Sequence, residues 1–298
     1  MRIGTHGRSL APASIPSVAR IHALMRAEGL TPVVDSTLAT QLAAAGLPVD
    51  VGTEVADNPA VTGIDLFFSL GGDGTFLDSV AKTGRSGIPV LGINLGRLGF
   101  LSSIREEGAL AAIRAVKSGN YTIQERGLLA LHGEGVAGGE TLFGLNEVSV
   151  HKRDTSSMLA VDVWVDGRFL NTYWSDGLIV ATPTGSTAYS LSCGGPILDP
   201  ACDAMVITPI SAHNLNVRPI VVPGGSVLRL RAATRDDKYL VNIDSRSFTL
   251  DRPTDLHMHR AEHRVRFVQL EGTGFFNTLR GKLGWGMDVR SAAPGGGG

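Results

Sequence analysis

An α/β domain followed by a β-rich domain is the fold this sequence predicts, and three observations predict it. Short apolar runs alternate with amphipathic helical stretches as far as residue 119, the pattern of a parallel sheet with helices on both faces. From about residue 120 to 270 the signals are mostly strands, separated by turns such as Asp166-Gly167 and Pro223-Gly224-Gly225. Phe276 to Leu283 is helical again and is expected to return to the first domain. The expected domains are therefore 1–119 (α/β), 120–270 (β-rich) and 271–298, the last a helix and a flexible tail, Pro294 to Gly298.

Taken in order, Met1 to Gly4 reads as a first strand and Thr5 to Ser9 as a loop. Ile15, Val18, Ile21, Leu24 and Met25 have helical spacing, with Gly29 suited to the residue after the C-cap. Thr31 to Asp35 is a strand and Ser36 to Ala45 a helix ended by Gly46; residues 47–63 read as a loop. The apolar run Leu66 to Leu70 stops at Gly71-Gly72-Asp73-Gly74-Thr75, and a helix starting near Phe76 runs to about Lys82. Ile88 to Ile93 is the next buried strand. Ser103 and Glu106 have capping-box spacing before a helix through Lys117. Strands are expected at Thr122 to His132, Leu142 to Val150, Met158 to Val165, Val227 to Arg231, Tyr239 to Ile243 and Arg264 to Leu270.

Composition excludes several classes. The chain has 298 residues, 43% hydrophobic and 18% charged, which suffices for two cores. A net charge of -1 provides no general attraction for nucleic acid or an anionic membrane, so any pull on a phosphorylated ligand must be local. No signal-peptide pattern opens the sequence and no apolar run approaches a membrane span, so a cytoplasmic protein is expected. Cys193 and Cys202 lack metal-site spacing and are expected to stay reduced there.

The chemistry concentrates in four stretches. Gly71 to Thr75 follows a buried strand and opens a helix, a geometry that brings backbone N–H groups to phosphate oxygens. A structural turn accounts for the glycines equally well. It leaves Asp73 unexplained, and two roles stand for that acid: handling a proton or orienting a sugar hydroxyl. The stretch is neither a Walker A loop nor a Rossmann fingerprint. Gly92 to Leu101, carrying Asn94 and Arg97, closes the next strand in the same style, so two glycine turns are expected at one sheet edge. Asn146-Glu147 interrupts an apolar strand, and alternation leaves the face of Glu147 undecided. From Asp176 to Ser192 an apolar strand ends in a glycine- and hydroxyl-rich turn, then a small-residue helix whose N-terminus suits a phosphate or ribose. N-capping explains one of its hydroxyls and leaves the rest over, and Tyr189 suits stacking on a base. His257 and His259 share a face if they lie on a strand, but no third ligand accompanies them and solvated histidines are the simpler reading.

Gly71 to Thr75, Asn94 to Leu101, Asn146-Glu147, Asp176-Gly177, Thr182 to Ser192, Gly194-Gly195-Pro196-Ile197 and Arg218-Pro219-Ile220 occur together and in this order. That set resembles the NAD kinase family of bacterial type, most firmly over residues 60–285. The glycine motif alone is shared with diacylglycerol and sphingosine kinases and, loosely, phosphofructokinases; the Thr-Pro-Thr-Gly-Ser-Thr-Ala-Tyr stretch is far more specific. The resemblance implies a Rossmann-like, phosphofructokinase-like α/β domain and a β-sandwich-like domain with NAD between them. It also implies transfer of a phosphoryl group from ATP to the 2′-hydroxyl of the adenosine ribose of NAD, a divalent metal (magnesium, with ligands unknown), and a homo-oligomer, dimer or tetramer.

Roles carry over residue by residue. Asp73 matches the catalytic aspartate. Gly71, Gly72, Gly74 and Thr75 match the phosphate-binding turn, with Asp73 and Gly74 also at the dinucleotide. Asn146, Glu147, Asp176, Thr187, Ala188, Tyr189, Ser190, Leu191 and Ser192 match the NAD site. Departures fall at Thr5-His6-Gly7-Arg8, Trp174, Ser211-Ala212-His213 and Arg246. They bear on fine contacts and cofactor preference, not on the reaction class; the sequence leaves ATP against polyphosphate as donor, and NAD against NADH, open. A lipid kinase sharing the glycine motif and a non-catalytic dinucleotide sensor are the competing expectations. The first needs a membrane-facing apolar patch that the sequence does not offer, and the second has no use for Asp73.

Overall fold

The structure, a computed structural model, describes residues 1–47, 54–58, 60, 63–153, 158–214, 216–234 and 238–285. The expected tail Pro294 to Gly298 and much of the expected loop 47–63 lie outside the described residues. Contacts divide the chain into two compact units: Met1–Ser79 with Pro89–Ile123 and Val268–Gly298, and Val80–Ile88 with Gln124–Phe267.

As far as residue 126 the elements are β1 (Arg2–His6), α1 (Ile15–Ala27), β2 (Thr31–Asp35), α2 (Ser36–Ala44), β3 (Glu54–Ala56), β4 (Leu66–Leu70), α3 (Asp73–Thr83), β5 (Val90–Asn94), β6 (Ile104–Arg105), α4 (Ala109–Ser118) and β7 (Thr122–Arg126), of which the end of α3 and most of β7 fall in the second unit. β1 pairs in parallel with β2 and β4, β2 with β3, and β5 with β4 and β6. The order is β3-β2-β1-β4-β5, then Val265–Gln269, then β7. β4 and β5 are buried at every position, which is why their sequences are continuous apolar runs without alternation. One face packs Ile3, Val34, Leu66, Phe68, Leu70, Leu91 and Ile93 against Val18, Ile21 and Met25 of α1, Leu38 and Leu42 of α2, and Ile113 and Val116 of α4.

The second unit is antiparallel throughout. It contains β8 (Leu129–Gly133), β9 (Leu142–Gly144), β10 (Glu147–Lys152), β11 (Leu159–Val165), β12 (Arg168–Ser175), β13 (Gly177–Ala181), the single turn α5 (Tyr189–Ser192), β14 (Ala204–Ile210), β15 (Ile220–Pro223), β16 (Leu228–Thr234), β17 (Tyr239–Ile243), β18 (Arg246–Leu250) and β19 (Asp255–Arg260); β20 (Val265–Gln269) is the strand between β5 and β7 in the first sheet. Two sheets form, β15-β14-β13-β10-β17-β18 and β12-β11-β16-β19-β8-β9. Val148, Val150, Leu178, Val180 and Val241 of one share a core with Leu131, Val161, Val163, Leu230 and Met258 of the other, as in a β-sandwich. The chain then ends its described course in α6 (Phe275–Leu283), which belongs to the first unit.

Several expectations are corrected. β1 continues through Thr5 and His6, which were expected in a loop, because both pair with β4. β3 lies inside the expected loop 47–63. The capping box does not form: Ser103 precedes the two-residue strand β6, α4 starts later at Ala109 with no side-chain cap, and Glu106 pairs with Arg20 instead. The runs Thr122–His132 and Leu142–Val150 are each two strands, broken at Gly127-Leu128 and Leu145-Asn146.

Candidate functional site

In the first unit the site is built where β4 ends. Gly71 and Gly72 make the turn, and α3 begins at Asp73, three residues earlier than the sequence predicts. The carboxylate therefore sits in the first turn of the helix, where the helix dipole favours an anion. Gly72 and Gly74 are exposed, and a Cβ on either would touch nothing, so packing does not require glycine there. Thr75 is buried, with its side chain toward Gly71.

Asp73 is held from the neighbouring turn. Oδ2 accepts the Phe100 N–H at 2.9 Å, and Oδ1 accepts those of Leu101 at 3.0 Å and Ser102 at 3.1 Å. The two glycine turns expected at one sheet edge are thus joined through this carboxylate. Asn94 Oδ1 accepts the Gly96 N–H at 2.7 Å, shaping the start of the second turn, and its buried Nδ2 has no protein partner. Gly99 is required by close approach: a Cβ there would lie 1.8 Å from Asp73 Oδ1. Gly99→Ala is expected to break the three-bond grip, seen as faster amide hydrogen exchange at residues 100–102; unchanged exchange would mean the turn yields elsewhere.

In the second unit the Asn146-Glu147 corner is held by Asp244, a residue the sequence reading did not single out. Its carboxylate accepts N–H groups from Leu145 at 2.7 Å, Asn146 at 2.8 Å and Glu147 at 3.2 Å. Those donors are taken from the ladder, and this is why the expected strand Leu142–Val150 breaks there. Asp244 lies in the tight turn between β17 and β18 with φ 48°, so in sequence it reads as an ordinary turn aspartate. Burial raises its pKa, against the pull of those three donors.

Glu147 shares one face of β10 with Ser149 and His151, opposite the core residues Val148 and Val150. Burial first, and then the Asp244 charge, push its pKa up to about 8. Its buried Oε2 and the buried Oδ1 of Asn146 have no protein partner. Buried polar atoms are rarely left unpaired, so the corner is suited to a ligand that supplies hydroxyls.

The Thr182–Ser192 segment is corrected in kind. It is a short 3₁₀ turn, Gly185–Thr187, followed by a single α-turn without a side-chain cap, so it offers no helix N-terminus of useful length. Its hydroxyls hold the loop in place. Thr182 Oγ1 donates to the Leu145 carbonyl at 2.6 Å and Ser186 Oγ to that of Pro183 at 2.7 Å; Ser190 and Thr208 hydroxyls meet at 2.8 Å. The Thr182 N–H donates to the Asn146 carbonyl at 2.8 Å, tying this segment to the Asn146-Glu147 corner. Buried Arg126 braces it from below, donating to Thr184 Oγ1 at 3.3 Å and lying over the Phe267 ring.

Tyr189 stacks on His151, ring centroids 5.7 Å apart and 10° from parallel. Burial lowers the His151 pKa, and its Nε2 hydrogen-bonds Ser149 Oγ at 2.8 Å. Asp176 pairs with Lys152 at 2.6 Å. Asp176 and Glu147 both act on the Tyr189 hydroxyl electrostatically, which places all three in one region of this unit. Thr187 Oγ1 donates to the Thr184 carbonyl at 3.2 Å, and Leu191 and Ser192 complete the α-turn.

Other sequence candidates fall elsewhere. His257 and His259 project from the exposed face of β19, and no group of three His, Cys, Asp or Glu side chains suited to a metal ion occurs among the described residues. Arg8 of the divergent first turn pairs with Asp78 of α3 at 3.2 Å. Trp174 is exposed and its carbonyl accepts the His213 N–H at 2.9 Å; Arg246 donates to the Phe143 carbonyl.

Residues 21–121 match the ATP-NAD kinase N-terminal domain and residues 145–270 the ATP-NAD kinase C-terminal domain. The NAD kinase of Flavobacterium johnsoniae is 39% identical over 98% of this chain and 100% of its own length. That of Cytophaga hutchinsonii is 43% identical over 76% and 78% respectively. In fold, the chain resembles yeast NADH kinase complexed with NADH (TM-score 0.85, 23% identity, covering 97% of this chain and 89% of that one). It also resembles an Archaeoglobus fulgidus NAD kinase in complex with ATP (TM-score 0.71, 24% identity, 95% and 98%). A parallel α/β unit with a glycine-turn carboxylate, followed by a β-sandwich unit, is the architecture of a nucleotide-dependent phosphotransferase. On its sequence the chain belongs to the ATP-NAD kinase family.

Proposed function

We propose that this chain phosphorylates the 2′-hydroxyl of the adenosine ribose of NAD with ATP, giving NADP and ADP. The observation that carries the reading is Asp73, a carboxylate fixed by three backbone donors at the mouth of a glycine turn, in a chain of this family. The hydroxyl oxygen forms a bond to the γ-phosphorus. The bond from that phosphorus to the bridging oxygen breaks, and its electron pair leaves on ADP. The hydroxyl proton passes to Asp73 and then to water. Proton transfer to so weak a base is late, so positioning supplies much of the rate.

Gly71, Gly72, Gly74 and Thr75, with the free N–H groups opening α3, are assigned to the donor phosphates. Asn146 and Glu147 are assigned to a ribose diol, which the unpartnered Asn146 Oδ1 and Glu147 Oε2 support. Asp176 and Thr187 to Ser192 are assigned to the rest of the dinucleotide, with Tyr189 against a ring. The described residues do not provide an all-protein metal cage. A magnesium ion fits better as a passenger on the donor phosphates, where it neutralises their charge.

No helix among the described residues is long and apolar enough to cross a membrane. We place the enzyme in the cytoplasm, where Cys193 and Cys202 stay as the free thiols they are here. A homo-oligomer is proposed as well; apolar Phe169 and Trp174 on β12 and Ile220 and Val221 on β15, each an edge strand, are exposed in the single chain. Light scattering on the purified protein tests that; a monomer at micromolar concentration refutes it. The activity is tested by a coupled NADP assay with NAD and magnesium, using ATP, polyphosphate and other nucleotides as donors. NADP formation with ATP is expected, and its absence with every donor removes the proposal.

A further inference from the structure

The C-terminal helix brings a cation to Asp73. Lys282, next to last in α6, has its Nζ 3.6 Å from Asp73 Oδ2 and 4.7 Å from the centroid of the Phe100 ring. Phe100 is also the residue whose N–H donates to that oxygen. One residue thus supplies a donor to the carboxylate and an aromatic floor beneath the ammonium, which fixes where the lysine head lies.

The donor arithmetic gives that position a meaning. Each carboxylate oxygen has about two acceptor sites. Oδ1 already accepts two N–H groups and Oδ2 only one, so the open site is on Oδ2, the atom that Lys282 approaches. An acceptor hydroxyl delivering its proton to Asp73 must come to that same site. At 3.6 Å the ammonium is beyond a normal hydrogen bond and does not fill the open site, so a hydroxyl can approach Oδ2 beside the ammonium, within reach of both. The hydroxyl oxygen would then lie about 3 Å from Oδ2, and the phosphoryl group forming a bond to it would bring its own oxygens within reach of the same ammonium.

We propose that Lys282 meets the transferring phosphoryl group during the reaction, which makes it a further catalytic residue of this chain. The proposal rests on the reading of Asp73 as the group that accepts from the hydroxyl. Lys282 forms no covalent bond and keeps its protons. It supplies positive charge to the three phosphoryl oxygens as they part from ADP, and its three donors turn freely to meet them.

A merely structural pair predicts something different. Both partners are about one-third exposed, 35% and 30%, and pairs of that kind contribute little to stability. The test measures kcat and the KM values for ATP and NAD in Lys282→Ala, Lys282→Arg and Asp73→Asn, with thermal midpoints for each. We expect Lys282→Ala to lose about 10²-fold in kcat with its midpoint and NAD KM unmoved. Lys282→Arg should recover part of the loss, and added methylammonium should partly rescue the alanine variant while leaving the parent enzyme unaffected. A kcat within threefold of the parent, or a loss that tracks a lowered midpoint and resists the amine, overturns the proposal. A dead Asp73→Asn beside an active Lys282→Ala removes Lys282 alone, whereas an active Asp73→Asn removes the reading of Asp73 itself.

Discussion

Asp73→Asn is expected to lower kcat by about 10²–10⁴-fold while NAD still binds. The substitution is nearly isosteric, and its effect can be followed atom by atom. With the amide oxygen in place of Oδ1, the Leu101 and Ser102 N–H groups keep their acceptor. The amide nitrogen then replaces Oδ2 and faces the Phe100 N–H and the Lys282 ammonium, both donors. One hydrogen bond is lost, which costs about 1–3 kcal/mol at a part-buried site and lowers the thermal midpoint by a few degrees without unfolding the protein. The larger loss is chemical, because an amide has no capacity for the hydroxyl proton. Steady-state kinetics with a solvent deuterium isotope effect separate the two roles open to this acid. A fall of tenfold or less, with an unchanged isotope effect, means that Asp73 only holds the hydroxyl in line.

How much of this was legible in the sequence depended on whether the interacting groups are close in the chain. The strand-turn-helix of Leu66 to Thr83 is a local pattern, an apolar run buried at every position, then glycines, then helix, and the sequence shows its strand and turn to the residue and the helix start three residues late. The break at Leu145-Asn146 was not read, because its cause is a carboxylate about a hundred residues away in a turn that looks unremarkable. The sequence shows Asn146-Glu147 interrupting an apolar run, but periodicity has no means of pointing to the distant carboxylate that ends one strand and starts the next there. The hydroxyls of Thr182 to Ser192 misled for a related reason. Serine and threonine at a helix start are the usual caps, yet here they serve carbonyls of Leu145 and Pro183 and the hydroxyl of Thr208. Lys282 lay in a stretch expected only to return to the first domain, and nothing in its local sequence points to a residue more than two hundred positions earlier.

Glu147→Gln is expected to change the pH dependence of two quantities in opposite senses. In the folded chain the Glu147 pKa is raised from an ordinary 4.5 to about 8. Between those values the folded state binds the proton more tightly than the unfolded one. Stability is therefore fully present below about pH 4.5 and is lost as pH rises through about 8. The loss over that whole window is on the order of 5 kcal/mol. Glutamine has no such proton, so urea midpoints of the variant should be nearly level from pH 5.5 to 8.5 and exceed those of the parent at the upper end. A residual slope of the same sign remains from Asp244, whose pKa burial also raises. Dinucleotide affinity should behave in the reverse way. A ribose diol donating two hydrogen bonds needs the carboxylate, which at pH 6 is mostly protonated. NAD binding by the parent should tighten from pH 6 to 8, by up to about tenfold per unit, and release a proton, about one per NAD at pH 6 and about half at pH 8. The variant should bind more weakly and without that trend. If the parent's stability falls with pH while its NAD affinity stays level, Glu147 does not meet the ligand as a carboxylate. If stability also stays level, the buried proton itself is absent.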